Sequence, residues 1–330
     1  MNPFRGIVPA CACALLLTSC SASSGGATSS QQDGEGAELS VVTSIDVYAD
    51  LIADISGDTV EVKPLVTSTA ADPHSYEATA QDRLKVQNAD VIVANGAGYD
   101  AFITLLASSA EKEDAVYQVA EGENEHEHHD GDHDDHHDHD HHDDEADHDH
   151  DHDHGEAYEN EHLWYDLDQM EEFVLDFADH LGELAPEHAE VYADNAEELA
   201  EQISALSERS RELDADGHSY LATEAVSGFL LDDAGLENRT EPEFLSAVEH
   251  GSDVSPRLYN SALDLAEDVD VLSYNEQTET QQSARIRAAA EEAGVAVVEF
   301  TETIPEEHAG YIDWMDANID AIESALQELR

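Results

Sequence analysis

Residues 186–213 read PEHAEVYADNAEELAEQISALSERSREL, a stretch that predicts one long helix in the middle of the chain. After Pro186 neither Gly nor Pro interrupts it. Its larger apolar residues share one face at helical spacing: they are Tyr192, Leu199, Ile203, Leu206 and Leu213. A helix of about 28 residues, at 1.5 Å each, would be roughly 40 Å long. That length is sufficient to join two domains, although a long core helix would have the same pattern.

Strand and helix patterns alternate on both sides of this helix. Before it, short apolar strands such as Asp90–Asn95 (DVIVAN) alternate with amphipathic segments. After Gly217 the alternation resumes, and Asp270–Asn275 (DVLSYN) is a second buried strand. A β-α-β-α order predicts mostly parallel sheets covered by helices. The predicted fold class is therefore α/β, with two lobes of parallel-sheet units joined by one long rigid helix.

Shifts in composition give the expected boundaries of these parts. We expect a first lobe at residues 39–185 with an insertion at 121–160, a linking helix at 186–214 and a second lobe at 215–330. The insertion is rich in His and Asp, a composition that favours disorder and multivalent metal binding. Thirteen of the chain's 20 histidines lie in it, namely His126, His128, His129, His133, His136, His137, His139, His141, His142, His148, His150, His152 and His154.

The N-terminus has the pattern of an export signal. One cation, Arg5, precedes an apolar run from Gly6 to Leu17 that is too short to span a bilayer. A small-residue site then ends in Cys20 and resembles the lipobox of bacterial lipoproteins. The apolar run indicates a signal peptide at 1–19, and the resemblance implies a lipid on Cys20. The segment 20–38, rich in Ser, Gly and Gln, is expected to be a flexible tether. An ordinary cleaved signal with an incidental Cys is the alternative.

The charge of the chain limits its partners. It has 78 acidic and 12 basic residues, for a formal net charge of −66, and 41% of its residues are hydrophobic. Such an acidic surface repels nucleic acid and anionic lipid, whereas the apolar fraction is enough for a packed core. The acidity suits a protein that handles cations, or one that stays soluble in a saline habitat.

Candidate ligands follow from the rule that open α/β sheets bind ligands beyond the carboxyl ends of their strands. Four polar motifs stand at such positions or after the insertion: DPHSYE at 72–77, EHLWYD at 161–166, ATE at 222–224 and NEQTE at 275–279. Two imidazoles and a carboxylate, from His74, His162 and Glu224, are a familiar donor set for zinc and also serve manganese or ferrous iron. Spacing alone leaves open whether these residues share a site or lie on the surface.

The motifs resemble those of the zinc/manganese solute-binding lipoproteins of metal-uptake ABC transporters. DPHSYEAT is similar to that family's first-histidine motif, EHLWYD to its second, and TEAVSGFLLDDAGL to the start of its second lobe. The resemblance extends from the lipobox through Trp314. It implies two α/β lobes bridged by a rigid helix, a single divalent ion between them, and delivery of that ion to a membrane permease and, through it, its ATPase. The expected protein is a monomer anchored outside the cytoplasm.

The resemblance also implies a ligand set. His74 and His162 match the first-lobe ligands and Glu224 the second-lobe ligand. Many zinc-type members have His in place of Glu224, whereas manganese-type members have Glu there together with a later Asp that this chain lacks in the loop YNEQTETQ. That loop looks like the shorter one of zinc-type members, and Glu279, or after it Glu276, is expected as a fourth ligand unless water takes that place.

Imidazole favours zinc over manganese, so the insertion indicates Zn²⁺ as the transported ion, with Mn²⁺ as the alternative. No enzymatic activity is expected, because the chain lacks an HExxH string and a separate general base near the motifs. A metal-dependent hydrolase remains an alternative at this point. So does a surface zinc buffer or adhesin that acts through residues 126–154.

Overall fold

The computed structural model describes residues 39–120 and 160–329. The signal peptide, the lipidation of Cys20, the tether and the histidine-rich insertion are predictions that fall on residues outside the described ranges. Within these two ranges, none of the helices combines the length and the apolar character that crossing a membrane requires.

The first lobe is built on a parallel sheet. Its elements are β1 (Leu39–Ile45), α1 (Asp46–Ser56), β2 (Val60–Val66), α2 (Ala80–Asn88), β3 (Val91–Ala94), α3 (Ala101–Ser109) and β4 (Val116–Gln118). The described strands lie in the order β2-β1-β3-β4, and each neighbouring pair is parallel. All of β3 is buried, as the apolar run DVIVAN predicts. Because parallel strands all point the same way, their carboxyl ends form one edge of the sheet.

The second lobe repeats this arrangement after two long helices, α4 (Leu167–Leu184) and α5 (Ala189–Arg211). Its elements are β5 (Ser219–Ala222), α6 (Gly228–Asp233), β6 (Glu237–Asn238), α7 (Pro242–Glu249), α8 (Pro256–Leu265), β7 (Val271–Asn275), α9 (Gln281–Ala293), β8 (Ala296–Phe300) and α10 (Tyr311–Glu328). The described strands are parallel in the order β6-β5-β7-β8. The predicted α/β class with two parallel-sheet lobes is confirmed.

Two elements of the second lobe have weak sequence patterns and were not predicted. β6 pairs with β5 through two residues only. α7 has eight residues, of which Phe244 and Leu245 are buried. Neither is long enough to show a clear period, and a helix this short has little stability without its tertiary contacts.

The long helix α5 contacts both lobes. It starts three residues after Pro186 and ends before Leu213, and its 23 residues span about 34 Å. Near its start, the hydroxyl groups of Tyr192 and Thr59 are 2.8 Å apart. Near its end, the Ser210 hydroxyl donates to the carbonyl of Leu230 at 3.3 Å. α5 also packs along α4 and against α1 and α10, so it ties the two lobes together.

The two lobes share one continuous hydrophobic core. At their junction the Tyr165 hydroxyl donates to the carbonyl of Thr301 at 2.9 Å, and the Tyr311 hydroxyl donates to the carbonyl of Trp164 at 2.8 Å. The rings of Tyr165 and Trp314 meet edge to face with centroids 5.4 Å apart. These buried contacts limit how far one lobe can move relative to the other.

Helix α1 also reaches into the second lobe through two carboxylates. Asp46 Oδ1 accepts from the amide of Ile304 at 3.4 Å, and Asp50 Oδ2 accepts from the amide of Tyr311 at 2.7 Å. Asp50 therefore caps the first turn of α10 from the other lobe, where the preceding glycine has no side chain to do so. Burial raises the pKa of Asp46 to about 6, although the amide of Ile304 opposes this shift.

Replacing Asp46 with Asn should flatten part of the pH dependence of stability. Folded Asp46 holds its proton up to about pH 6, whereas the unfolded residue releases it near 3.8, so its contribution to wild-type stability falls as the pH rises between these values. Asn is neutral throughout. The difference in unfolding free energy, Asp46→Asn minus wild type, should therefore rise between pH 3.8 and about pH 6, by at most about 3 kcal/mol.

Urea unfolding at a series of pH values measures this difference. Asp58→Asn, at an exposed position of the same lobe, serves as the control. A stability difference between Asp46→Asn and the wild type that stays constant from about pH 4 to about pH 7 would contradict the prediction.

Candidate metal centre

Four side chains bring metal-binding atoms together between the lobes. His74 and His162 come from the first lobe, and Glu224 and Glu249 come from the second. One ligand atom of each lies within 4.8 Å of the others. The structure thus brings together the three residues that the motifs single out, His74, His162 and Glu224, and adds Glu249.

His74 lies in the loop that follows β2, and Asp72 fixes the shape of that loop. Asp72 Oδ1 accepts from the backbone amide of His74 at 2.9 Å, and its Oδ2 accepts from the Ser75 hydroxyl at 2.8 Å. The imidazole of His74 packs edge-on against the ring of Tyr99, with centroids 4.8 Å apart. Its side chain is 16% exposed, so the group can be reached from solvent on this side.

His162 is fully buried and is held in one tautomer. The carbonyl oxygen of the Asn160 side chain accepts from the His162 amide at 3.1 Å and lies 3.0 Å from His162 Nδ1. The Asn160 amide nitrogen donates to the carbonyl of Ala225, which fixes the orientation of this side chain. Nδ1 must therefore carry the proton, and the lone pair is on Nε2. Nε2 is buried and has no hydrogen-bond partner in the described ranges.

Burial keeps His162 neutral. Burial, with a smaller effect from the adjacent His74, lowers the pKa of the imidazole to about 4, although Glu249 opposes the shift. Neutral imidazole with a free Nε2 lone pair is the form that binds metal ions. His162 is thus a ready donor at neutral pH.

Glu224 follows β5 and faces the first lobe from a buried position. Its Oε2 accepts from Asn275 Nδ2 at 2.5 Å and from the Thr278 hydroxyl. Burial raises the pKa of Glu224 to about 8, and the nearby charges of Glu302 and Glu249 add to this effect. The surroundings of Glu224 therefore do not supply enough positive charge to stabilise its ionised carboxylate.

Glu249 is the last residue of α7, and its side chain is 3% exposed. Its Oε1 accepts from the amide of Ala225 at 2.9 Å, and its Oε2 lies 3.4 Å from His74 Nε2. Burial would raise the pKa of Glu249, but the hydrogen bonds with the His74 imidazole and with the Ala225 amide act against it, and the pKa is lowered. Sequence reasoning missed this residue because it did not predict α7.

Glu302 follows β8 and is a further buried carboxylate at the same place. Its Oε2 accepts from the Tyr99 hydroxyl at 2.9 Å and lies 3.5 Å from His74 Nδ1, while its Oε1 accepts from Asn275 Nδ2 at 2.8 Å. Burial raises its pKa to about 7. The motif TETI, at 301–304, directly follows the strand-like run VAVVEF, so the strand-end rule could have found Glu302.

Glu276 and Glu279, expected as fourth ligands, lie outside the group. Both are exposed, and the Glu279 carboxylate accepts from the Tyr274 hydroxyl at 2.7 Å. Two neutral side chains of the same segment, Asn275 and Thr278, contact Glu224 instead. Since period and spacing do not show which way a loop side chain points, the sequence could not separate these residues.

The charge of the group is unbalanced towards the negative side. His74 Nε2 lies 2.9 Å from Glu161 Oε1, and Asp72 Oδ1 lies 3.5 Å from His74 Nδ1. Burial would lower the pKa of His74, but hydrogen bonds with Asp72, Glu161 and Glu249 outweigh it and raise the pKa well above its usual value. The hydrogen bond from His74 in turn lowers the pKa of Asp72 to about 2. A bound divalent cation would supply the positive charge that several buried carboxylates require.

Comparison with known proteins places the chain in a family. The family model "ZnuA: Zinc-uptake complex component A periplasmic" matches residues 41–325. The manganese-binding lipoprotein MntA of Halalkalibacterium halodurans is 25% identical over 331 residues, which cover 96% of each chain. The zinc-binding lipoprotein AdcA of Streptococcus pneumoniae is 26% identical over 330 residues. That alignment covers 96% of this chain but only 60% of AdcA.

A solved structure agrees with the fold. The periplasmic zinc-binding protein TroA of Treponema pallidum superposes with a TM-score of 0.68 at 19% identity, over 87% of this chain and 99% of TroA. At that identity the likeness concerns the fold alone.

The family match covers nearly all of the described residues and confirms the resemblance found in the sequence motifs. Members of this family bind metals for transporters and are not enzymes, so the hydrolase alternative is excluded. The chain belongs to the family of periplasmic zinc-uptake complex components, the metal-binding solute-binding proteins of ABC transporters.

Proposed function

We propose that this protein captures one Zn²⁺ ion between its two lobes and delivers it to the permease of an ABC transporter, outside the cytoplasm and anchored by a lipid on Cys20. The observation that carries the proposal is the convergence of four donor atoms, two from each lobe, within 4.8 Å. The donors are His74, His162, Glu224 and Glu249. Four is the number of ligands that zinc takes in closed protein sites.

The distances within the group support capture by a small movement. In a tetrahedral zinc site with bonds of about 2.0–2.1 Å, neighbouring donors are roughly 3.4 Å apart. The four donors span up to 4.8 Å, so closing on the ion requires shifts of about 1 Å or more. Side-chain adjustment and a slight approach of the lobes suffice, as expected for lobes that share a core and the helix α5. Contact of a permease with both lobes would reverse this movement and release the ion.

The His-rich insertion supports zinc as the cargo. Its thirteen histidines, between His126 and His154, supply imidazole, which binds zinc much better than it binds manganese. We propose that this segment is an auxiliary metal-binding site that gathers or buffers ions around the lobes. Among the relatives, AdcA is named a zinc-binding lipoprotein.

Manganese is a second candidate because of the carboxylates. Glu302 lies 3.5 Å from His74, so that Glu224, Glu249 and Glu302 together offer a harder, oxygen-rich set. Carboxylate and water are the ligands that manganese prefers. The relative MntA is named a manganese-binding lipoprotein.

Titration of the full chain with Zn²⁺ and with Mn²⁺ tests the proposal. Trp164 is one of two tryptophans, and its ring lies 5.2 Å from that of His162, so its fluorescence should report binding between the lobes. We expect Zn²⁺ to displace Mn²⁺. Glu249→Gln and Glu224→Gln should each weaken zinc binding by at least about 100-fold, since loss of an outer partner alone costs 10–100-fold.

The matched controls for these variants are Glu276→Gln and Glu279→Gln, which remove the same charge from exposed positions close by. They should change the affinity by less than about threefold, because exposed charges are screened by solvent. Equal losses in Glu279→Gln and Glu224→Gln would contradict the proposed ligand set.

Replacing the thirteen insertion histidines with Asn should leave one tight zinc site per chain. Under this proposal the insertion contributes only additional, weaker sites, because a segment whose composition predicts disorder must lose conformational entropy to enclose each ion. Equilibrium dialysis with metal analysis gives the number of ions bound. If the chain with these thirteen substitutions retained no zinc, the result would instead support the alternative function of a surface zinc buffer or adhesin.

Zinc binding should release protons and weaken in acid. At pH 7, His74 carries a proton because its pKa is raised, and Glu224, with a pKa of about 8, is mostly protonated. An ion that binds both must displace about one to two protons, so the apparent affinity should fall as the pH drops from about 8 to about 6.

Calorimetry in buffers of different ionisation enthalpy, on the chain with replaced insertion histidines, measures this release. His218→Ala, at the other end of β5 from Glu224, serves as the control and should leave it unchanged. A zinc affinity that does not vary between about pH 6 and about pH 8 would contradict the predicted release of protons on binding.

A further inference from the structure

The segment from Asn275 to Thr278, at the end of β7, contacts the second-lobe carboxylates through neutral side chains. Asn275 is 3% exposed, and its single amide nitrogen donates both to Glu224 Oε2 at 2.5 Å and to Glu302 Oε1 at 2.8 Å. The Thr278 hydroxyl donates to the same Oε2 of Glu224. Asn275 and Thr278 are uncharged, but each donates a hydrogen bond to a carboxylate of the site.

The two donors on Glu224 leave it only one oxygen for a metal. A carboxylate oxygen has two lone-pair positions. Asn275 and Thr278 take both positions on Oε2, so the ion can bind only to Oε1. Glu224 is then restricted to a single bond with the metal.

The segment is also held in place from both lobes, so these donors cannot easily turn away. Gln277 Nε2 donates to the carbonyl of Ala71, in the loop that carries His74, at 2.6 Å. Gln277 Oε1 accepts from the amide of Glu302 at 2.9 Å and from that of Thr303 at 3.3 Å. One amide side chain therefore connects the His74 loop with the Glu302 loop.

We propose that Asn275 and Thr278 determine metal specificity by preventing Glu224 from binding an ion through both oxygens. This inference rests on the proposed capture of a divalent ion by His74, His162, Glu224 and Glu249. Zinc is satisfied by four single donors, whereas manganese favours six, and a carboxylate that binds through both oxygens is one way to reach that number. Limiting Glu224 to one oxygen favours the ion with the smaller coordination number.

Thr278→Val tests the proposal, because Val keeps the shape of the side chain and removes the hydroxyl donor. Thr278 is only half-buried, so the variant should fold. Thr278→Ser restores the hydroxyl and should restore wild-type behaviour. Thr240→Val is the matched control: Thr240 is a buried threonine of the same lobe whose hydroxyl accepts from the amide of Ala222 and touches no carboxylate of the site.

The readout is the ratio of the Mn²⁺ to the Zn²⁺ dissociation constant in the full chain, from competition followed by Trp164 fluorescence. We expect Thr278→Val to lower this ratio about tenfold, the smaller end of the range for outer partners of metal ligands, and Thr278→Ser and Thr240→Val to leave it within about threefold. X-ray absorption on the Mn²⁺-loaded variant should show one more oxygen neighbour than on the wild type.

The outcomes separate this inference from the proposed function. If the wild type binds Zn²⁺ tightly and Thr278→Val weakens both ions by the same factor, or changes neither, the specificity role is overturned and capture stands. If Thr278→Ser fails to restore the ratio, the hydroxyl is not the cause and the role is likewise overturned. If the wild type binds neither ion between the lobes, or prefers Mn²⁺, the proposed zinc function fails and this inference fails with it.

Discussion

The site between the two lobes is defined by negative charge that the fold buries there. Glu224, Glu249 and Glu302 are nearly removed from water, and an unpaired carboxylate in such a position costs several kcal/mol. The surrounding groups offset part of that cost: the amide of Asn275, the hydroxyl of Tyr99 and the protonated imidazole of His74 all donate to these oxygens or lie close to them. A divalent cation would offset more of it than a proton does. Burial of these acids therefore favours a cation between the lobes, and this is the physical basis of the proposed metal site.

The scaffold makes this burial possible because both sheets direct the carboxyl ends of their strands to one place. Each lobe has the same strand order, and the loops that carry His74, Glu224 and Glu302 follow β2 in one sheet and β5 and β8 in the other. α5 and the shared core hold the two edges at a nearly fixed separation. Binding or release of an ion would then involve only small displacements of side chains and loops. A protein of this design selects its cargo by donor type and number more than by large movements.

Much of the fold and part of the site could be predicted from the sequence. The alternation of strand and helix patterns and the uninterrupted apolar face of α5 are long-range periodic signals, and they gave the correct class and the correct central helix. His74, His162 and Glu224 could be singled out since each stands in a distinctive motif beside a strand end or the insertion. Glu249 could not, because α7 is short and only Phe244 and Leu245 mark its buried side.

The remaining errors concern the direction of loop side chains. In the segment after β7, charge favours the acidic Glu276 and Glu279 as ligands, yet both are exposed, while Asn275 donates to the buried carboxylates. Charge in a loop suggests a ligand, but it equally suggests solvent exposure. Distinguishing the two needs the contacts that Gln277 makes with the loops on either side. The contact with Ala71 joins residues about 200 positions apart in the chain.

The continuous core that runs through both lobes also determines how the protein comes apart. Two lobes with separate cores would melt in two steps, and an ion held between them would stabilise only their contact. Here the lobes share buried aromatic residues such as Tyr165 and Trp314, so we expect a single cooperative transition. Any free energy gained from the ion is then added to the stability of the entire chain. A loaded molecule should consequently resist proteases better than an empty one throughout residues 39–120 and 160–329, which would link its lifetime to the supply of its cargo.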